Sequence, residues 1–290
     1  MNPIVQSFLH TDTSTFSYVV YDHDGGAAAI IDPVLDYDAA TARFSTCSAD
    51  AILAFVKEHQ LTVQWILETH AHADHLTAAH VLREQTGAKV AIGQGITGVQ
   101  ERFGKLFNLE PEFLPDGSQF DHLFTDGETF SIGELSGYAI GTPGHTDDSL
   151  TYVIGNAAFV GDTVFSPASG TARADFPGGD ARKLYQSIHK LFDLPAETRL
   201  YHCHDYPPTG QELQISSSVA EQRKGNIHVG AYTSEEDYVA MRTARDKVLP
   251  APRYILPSLQ VNIRAGEMPP ADANGIRYLR FPLNVLGTAK

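Results

Sequence analysis

The stretch Thr69-His70-Ala71-His72-Ala73-Asp74-His75 constrains this chain more than any other, because it sets three imidazoles and a carboxylate within six residues. Groups of that kind crowd together around a cation, and neutral imidazole and carboxylate are ligands for zinc, iron, manganese or nickel. The apolar run Gln64 to Leu67 feeds directly into the stretch, so the loop belongs to the end of a buried strand rather than to a solvated linker. A strand that delivers its polar end to a loop is how α/β folds build sites.

A chain of 290 residues can form one large domain or two small ones, and an apolar fraction of 42% supports a substantial core. Lys plus Arg number 21 against 35 Asp plus Glu, a net charge of -14, which disfavours nucleic acid and anionic membrane surfaces as partners. An anionic substrate must then meet a local cluster of positive charge. Met1 to His10 has no basic segment ahead of an apolar run, and no stretch approaches the roughly 18 apolar residues of a membrane span. The chain reads as soluble, unexported and cytoplasmic. Its two cysteines, Cys47 and Cys203, are too few for a disulfide framework and suit a reducing compartment. Cys203 lies between His202 and His204, where a ligand or redox role competes with the plainer expectation of a small buried strand-end residue.

Phe16 to Tyr21 and Ala27 to Ile31 are β-type runs joined by Asp22-His23-Asp24-Gly25-Gly26, which predicts a hairpin. Ser48 is placed to cap a helix over about 49–59, with Ile52, Phe55 and Val56 on its apolar face. After the metal loop a second helix is expected from about Leu76 to Thr86, stopped by Gly87, then a strand over Lys89 to Ile92. Between Gly93 and Gly117 the pattern weakens, which reads as a surface excursion or lid near the site. Short strands then recur over Phe120–Phe124, Glu128–Ile132, Leu135–Ile140, Leu150–Ile154 and Ala157–Val160, a meander. Helical periodicity returns over about Ala181–Phe192, followed by a strand at Arg199–His202. No repeat or low-complexity linker divides the chain, and Tyr254 to Ile263 is too apolar to be left in water. Two β-rich halves that each carry helices suggest two sheets face to face with helices outside.

Further polar residues fall where strands terminate. Thr142-Pro143-Gly144-His145 turns His145 toward the rim that carries His70, Val160-Gly161-Asp162 ends an apolar run on a carboxylate, and His202-Cys203-His204-Asp205 ends another on imidazole. Each is weak alone, since such residues usually serve turns. His70, His72, His75, His145 and His204 nevertheless all lie at strand ends, whereas His10, His23, His59, His80, His122, His189 and His228 show no such clustering and read as structural or solvent-facing.

Together these residues resemble the signature of the metallo-β-lactamase superfamily, a His-x-His-x-Asp-His loop followed by a distant His, an Asp and a last His. Here they are His70, His72, Asp74, His75, His145, Asp162 and His204. The resemblance spans about residues 12 to 205 and implies an α/β fold, a four-layer αββα sandwich with its site at the sheet rims. It suggests one domain over 1–290, with 206–290 a C-terminal extension packed on the core. Within the superfamily, Thr69 to His75, Gly170-Thr171-Ala172-Arg173-Ala174-Asp175-Phe176 and the tail Glu235 to Gly266, with its run Pro257 to Gly266, are similar to the persulfide dioxygenase branch. Residues 93–117 are an insertion relative to shorter members, and Gly-Thr-Ala-Arg stands where that branch has Gly-Arg-Thr.

That likeness implies one Fe(II) per chain on His70, His145 and Asp162, with His72, Asp74, His75 and His204 hydrogen-bonding around it, and oxidation of glutathione persulfide by O2 to sulfite and glutathione. The alternative it carries is a glyoxalase II-like hydrolase of glutathione thioesters with two zinc, iron or manganese ions. One would lie on His70, His72 and His145, the other on Asp74, His75 and His204, bridged by Asp162. Arg173 by motif, and Arg223 and Lys224 by clustering, are the candidate cations for the carboxylates of glutathione. A metal-free scaffold is disfavoured because no ligand position is missing, and a homo-oligomer is compatible with these features.

Overall fold

The computed structural model describes residues 2–230 and 232–285. The first half runs β1 (Ile4–His10), β2 (Thr15–Tyr21), β3 (Ala27–Ile31), β4 (Val34–Asp38), β5 (Arg43–Ser45), α1 (Cys47–Glu58), β6 (Thr62–Leu67), β7 (Leu76–Thr77), α2 (Ala79–Thr86), β8 (Lys89–Gly93), α3 (Ile96–Phe107) and β9 (His122–Phe124). The second runs β10 (Thr129–Ile132), β11 (Leu135–Gly141), β12 (Leu150–Ile154), β13 (Ala157–Phe159), α4 (Ala181–Phe192), β14 (Arg199–Tyr201) and β15 (Ser216–Ser218), and α5 (Val219–Gly225), α6 (Glu235–Asp246) and α7 (Ile255–Asn262) follow.

Two six-stranded sheets result, in the orders β1-β2-β3-β6-β8-β9 and β10-β11-β12-β13-β14-β15. Alternation along β2 shows how they pack. Tyr18 and Val20 face the second sheet, where they join Leu135, Tyr152 and Phe159, while Val19 and Tyr21 face outward into a second apolar layer. Both faces of β2 are therefore buried, which is why its sequence is a continuous apolar run rather than an alternating one. The outer layer of the first sheet is filled by Ile52 of α1, Leu82 of α2, Phe103 of α3 and Leu259 of α7. That of the second is filled by Leu191 of α4 with Val153, Leu200 and Val219. The layers are helix, sheet, sheet, helix. Among the described residues no helix is long and apolar enough to cross a membrane.

Helix α4 spans the residues that its periodicity predicts, capped by Asp180, whose side chain accepts from the backbone N–H groups of Arg182 and Lys183. Other boundaries move for local reasons. α1 begins at Cys47, and Ser48 does not cap it; the backbone N–H and hydroxyl of Ser48 both donate to the Asp36 carboxylate, so a strand residue supplies the cap. α2 begins at Ala79 because Leu76 and Thr77 pair with β4, and the Thr77 hydroxyl accepts from the Ala79 N–H.

The expected excursion over 93–117 is instead built around the 12-residue helix α3 and packs on the core. α3 buries Ile96, Val99, Phe103 and Phe107 against the first sheet, and none of 93–117 lines the cavity described below. Its apolar positions follow a helical spacing that Gly98 and Gly104 dilute. The segment after 205 enters the same core through Ile255, Leu259, Val261, Ile263 and Ala265; residues 286–290 lie outside the described part of the chain.

Candidate metal centre

Strands β3, β6, β8 and β9 run parallel, so their carboxyl ends share one rim. The loop after β6 is pinned there: the Glu68 N–H donates to the Ala91 carbonyl, and the Thr69 carbonyl accepts from the Leu150 N–H of the opposite sheet. Two glycines bring the other polar residues in. Gly144 precedes His145 at φ +142°, and a Cβ there would lie 2.3 Å from the Leu184 nitrogen; Gly161 precedes Asp162 at φ +50°, where a Cβ would meet the Thr69 hydroxyl at 2.5 Å. Only glycine tolerates both the backbone and the close approach.

All seven residues singled out by sequence meet at this rim. Donor atoms of His70, His145 and Asp162 lie within 4.8 Å of one another. His204 Nε2 lies 3.2 Å from Asp74 Oδ2 and 3.4 Å from Asp162 Oδ1. The His72 ring lies between those of His70 and His75, with centroids 4.1 and 4.2 Å away.

Hydrogen bonds on the far side of each ring decide which nitrogen is free. A carbonyl can only accept, so His145 Nδ1 donates to Arg173 O at 2.8 Å, His204 Nδ1 to Ser14 O at 2.9 Å and His75 Nδ1 to Leu76 O at 3.1 Å. Each ring therefore turns Nε2 toward the rim, where a metal ion would meet it as a lone pair. The Thr69 hydroxyl donates to Asp32 Oδ2 and so accepts from His70 Nδ1, which frees His70 Nε2. His72 is reversed: its Nε2 donates to Asp32 Oδ1 at 3.0 Å and its Nδ1 is the free nitrogen.

His70 Nε2, His72 Nδ1, Asp74 Oδ2, His75 Nε2, Asp162 Oδ1 and His204 Nε2 are all buried, with no hydrogen-bond partner among the described residues. A structure leaves such atoms bare at a cost of about 1–3 kcal/mol each unless something else meets them. The donor set fits a metal ion, which is small enough to reach atoms from which water is excluded.

The charges ask for the same thing. Burial, reinforced by His72 and His145, holds His70 well below the usual histidine range, and burial with His72 holds His75 at about 3. Burial also opposes protonation of His72 and His204, but Asp32 beside the first and Asp162 beside the second raise both well above it. Burial resists ionisation of Asp74, yet His204 and His75 keep its carboxyl down at about 2. A cluster with ionised carboxylates at its centre calls for positive charge, which either a proton or a divalent cation supplies.

A cavity of about 600 Å³ opens onto Asp74, His145, Asp162 and His204. Its lining also includes Arg173, Arg242, Arg245, Arg253 and His228. Arg173 is held rigidly, donating to both Asp175 oxygens at 2.6 and 2.8 Å and lying 5.1 Å over the Phe176 ring. Arg242 is tied to Asp246 and to the Thr171 carbonyl. Arg223 and Lys224 lie on α5 and do not line the cavity, and Arg223 donates to the Phe192 carbonyl. His228, which reads as merely structural in sequence, is a wall residue whose Nδ1 accepts from the Thr171 N–H. Besides Arg173, which its motif singles out, the i, i+3 pair Arg242 and Arg245 on α6 was an available signal of this wall.

The sequence profile of the metallo-beta-lactamase superfamily matches residues 10–204. The chain belongs to this superfamily. Over 97% of its length it is 50% identical to a probable metallo-hydrolase of Burkholderia pseudomallei (strain 1710b), of which it covers 99%. It is 47% identical to Glyoxylase B2 of Dictyostelium discoideum over 97% of each chain. With the mitochondrial persulfide dioxygenase ETHE1 of Bos taurus it shares 30% identity over 92% of this chain and 91% of that one. Among superfamily structures, ETHE1 from Myxococcus xanthus superposes with a TM-score of 0.72 at 30% identity, covering 91% of this chain and all of that one.

Proposed function

We propose that the protein is a persulfide dioxygenase holding one Fe(II), which converts glutathione persulfide, O2 and water to glutathione and sulfite. The observation that carries this reading is the grouping of donors. His70, His145 and Asp162 come together as two imidazoles and one carboxylate, a set that leaves several positions of an iron open. Among the described residues, Asp74, His75 and His204 form no comparable group: His204 turns to Asp74 and Asp162, and the His75 ring lies 6.5 Å from that of His204. Bound iron would supply the one-electron chemistry that lets triplet oxygen react with a persulfide sulfur.

The protein's own part is positioning. His70 and His145 offer Nε2 from rings fixed by Thr69 and the Arg173 carbonyl, and Phe165, Phe176 and Tyr206 give the cavity an aromatic lining in which a sulfur can lie shielded from water. Arg245 lines the same cavity and is suited to a carboxylate of glutathione, while Arg253, which also lines it, pairs with Asp12 at 3.2 Å. The 30% likeness to ETHE1 supports this reading. A glyoxalase II-like hydrolase of glutathione thioesters is the second reading, favoured by the free donor atoms on Asp74, His75 and His204 and by the 47% likeness to Glyoxylase B2.

One experiment separates the two: metal per chain, with O2 uptake on adding glutathione persulfide and hydrolysis of S-lactoylglutathione measured on the same preparation. The dioxygenase reading expects one iron, persulfide-dependent O2 uptake, and loss of both in His70→Ala, His145→Ala and Asp162→Ala. Two metals, thioester hydrolysis and no O2 uptake would overturn it.

A further inference from the structure

His228 stands in the connection between α5 and α6, 7% exposed, and lines the cavity. It is none of the seven rim residues, and neither reading of the reaction gives it a part. Its place is fixed on several sides. The His228 N–H donates to Asn226 Oδ1 at 2.9 Å, Asn226 Nδ2 donates to the Gly170 carbonyl at 3.1 Å, and the ring lies so close over Gly170 that a Cβ there would stand 2.2 Å from Nδ1. A backbone N–H can only donate, so the 2.9 Å contact from the Thr171 N–H makes Nδ1 a lone pair. Burial, with Arg242 and Arg245 nearby, lowers the pKa of the ring from 6.5 to about 4, so it is neutral at pH 7 and carries its one proton on Nε2. That Nε2–H is buried and has no partner among the described residues, although buried donors in folded proteins almost always find one.

The surroundings say what the missing acceptor is. Two guanidinium groups act on the ring, and while Arg242 is paired with Asp246, Arg245 lines the same cavity with no ion pair among the described residues. An N–H in that positive field binds an anionic oxygen in preference to a neutral carbonyl. We infer that His228 Nε2–H and Arg245 form an anion site on the cavity wall, built of none of the rim ligands, which takes a carboxylate of the substrate. Arg245 supplies the charge on a long and mobile stem, and His228 supplies a short donor of fixed direction, so the imidazole sets where the carboxylate lies. This makes His228 a specificity-determining residue, since a thiol carrier with no carboxylate to offer leaves the Nε2–H bare. The inference rests on the glutathione carrier that both readings of the reaction share, and not on which reaction takes place.

Two substitutions separate the donor from the ring's structural contact, read by calorimetric titration with glutathione. Asn puts its oxygen near the position of Nδ1, so His228→Asn keeps the acceptor for the Thr171 N–H and loses the Nε2–H; Gln puts its amide nitrogen near Nε2, so His228→Gln keeps the donor. Loss of a hydrogen bond to a charged group should weaken glutathione about 10- to 100-fold in His228→Asn, with most of the affinity restored in His228→Gln. Wild-type affinity in His228→Asn overturns the inference. Because either variant could disturb the loop, side-chain nitrogen–proton correlation NMR of the zinc-loaded wild-type protein gives an independent answer, with glutathione and the plain dicarboxylate glutarate as probes. A His228 Nε2–H proton that moves downfield with either probe supports the site, and one that stays in place with both overturns it. A response to glutarate alone keeps the anion site and removes the glutathione carrier from the proposed function.

Discussion

Asp32 stands at the end of β3 in a left-handed backbone conformation, φ +48°, with its side chain buried. Its carboxylate accepts from the Thr69 N–H and hydroxyl and from His72 Nε2, so one residue fixes the rings of both His70 and His72. Asp32→Ala should lower metal affinity about 10- to 100-fold with the ligands intact, which competition against a chelator would measure; unchanged affinity would show that the rings hold themselves. His202 illustrates the opposite case, an imidazole that must stay neutral. Its ring bridges the Val164 carbonyl and the Ser217 hydroxyl, and burial lowers its pKa from 6.5 to about 4. Between those values the unfolded chain takes up a proton that the folded chain refuses. This residue's contribution is thus complete above pH 6.5 and lost as pH falls toward 4, by about 1.4 kcal/mol per pH unit. His202→Asn should flatten the fall of Tm over that range, as thermal unfolding in a pH series would show. The seven candidate ligands were legible because imidazole and carboxylate recur at strand ends. Asp32 was not, since an Asp-Pro pair after a strand looks like an ordinary turn and its partners lie beyond α1 and β6 in sequence.

At the scale of elements, α7 does what no local pattern announces. Asn262, at its last turn, donates from one amide nitrogen to the carbonyls of both His72 and His75, and its oxygen accepts from the Thr77 N–H. A C-terminal helix thereby holds the N-terminal metal loop through three buried backbone groups. Asn262→Ala should cost about 2–4 kcal/mol of stability, from buried groups at about 1–3 kcal/mol each partly rescued by water. Chemical denaturation with and without metal would measure it, and a loss below about 1 kcal/mol would mean the loop is self-supporting. Helix α4 and the β2–β3 hairpin were predictable because amphipathic spacing and a Gly-Gly turn are local signals. The edge strand β1, and β4, β5 and β7, were not read as strands, because their pairing depends on partners brought together by the fold.

At the scale of the whole molecule, the apolar layer over the first sheet joins distant parts of the chain. Ile255, Leu259, Val261 and Ile263 complete the layer over the first sheet that Val19, Ile30 and Ile66 begin. A fragment of residues 1–205 should therefore show no cooperative thermal transition, and a stable folded fragment of that length would establish the tail as dispensable. The sandwich itself was legible, since its two β-rich halves with helices can be counted from sequence. Of the cavity wall only Arg173 was, by its motif, because Arg242, Arg245 and Arg253 lie on α6 and beyond it, far in sequence from the metal loop. That wall gathers four arginines in a protein whose net charge is -14, three of them paired with Asp175, Asp246 and Asp12, which leaves Arg245 without such a pair among the described residues. An anion drifting in from far away is repelled by the sum and is attracted only once the arginines outweigh it at short range. Dissolved ions cut off the long-range part first, with a Debye length of about 10 Å at 0.1 M and about 3 Å at 1 M. The kcat/KM for anionic glutathione persulfide should accordingly rise with ionic strength, pass through a maximum and then decline. A steady decline from the lowest ionic strength would mean that the arginine face, and not the acidic remainder, governs the whole approach.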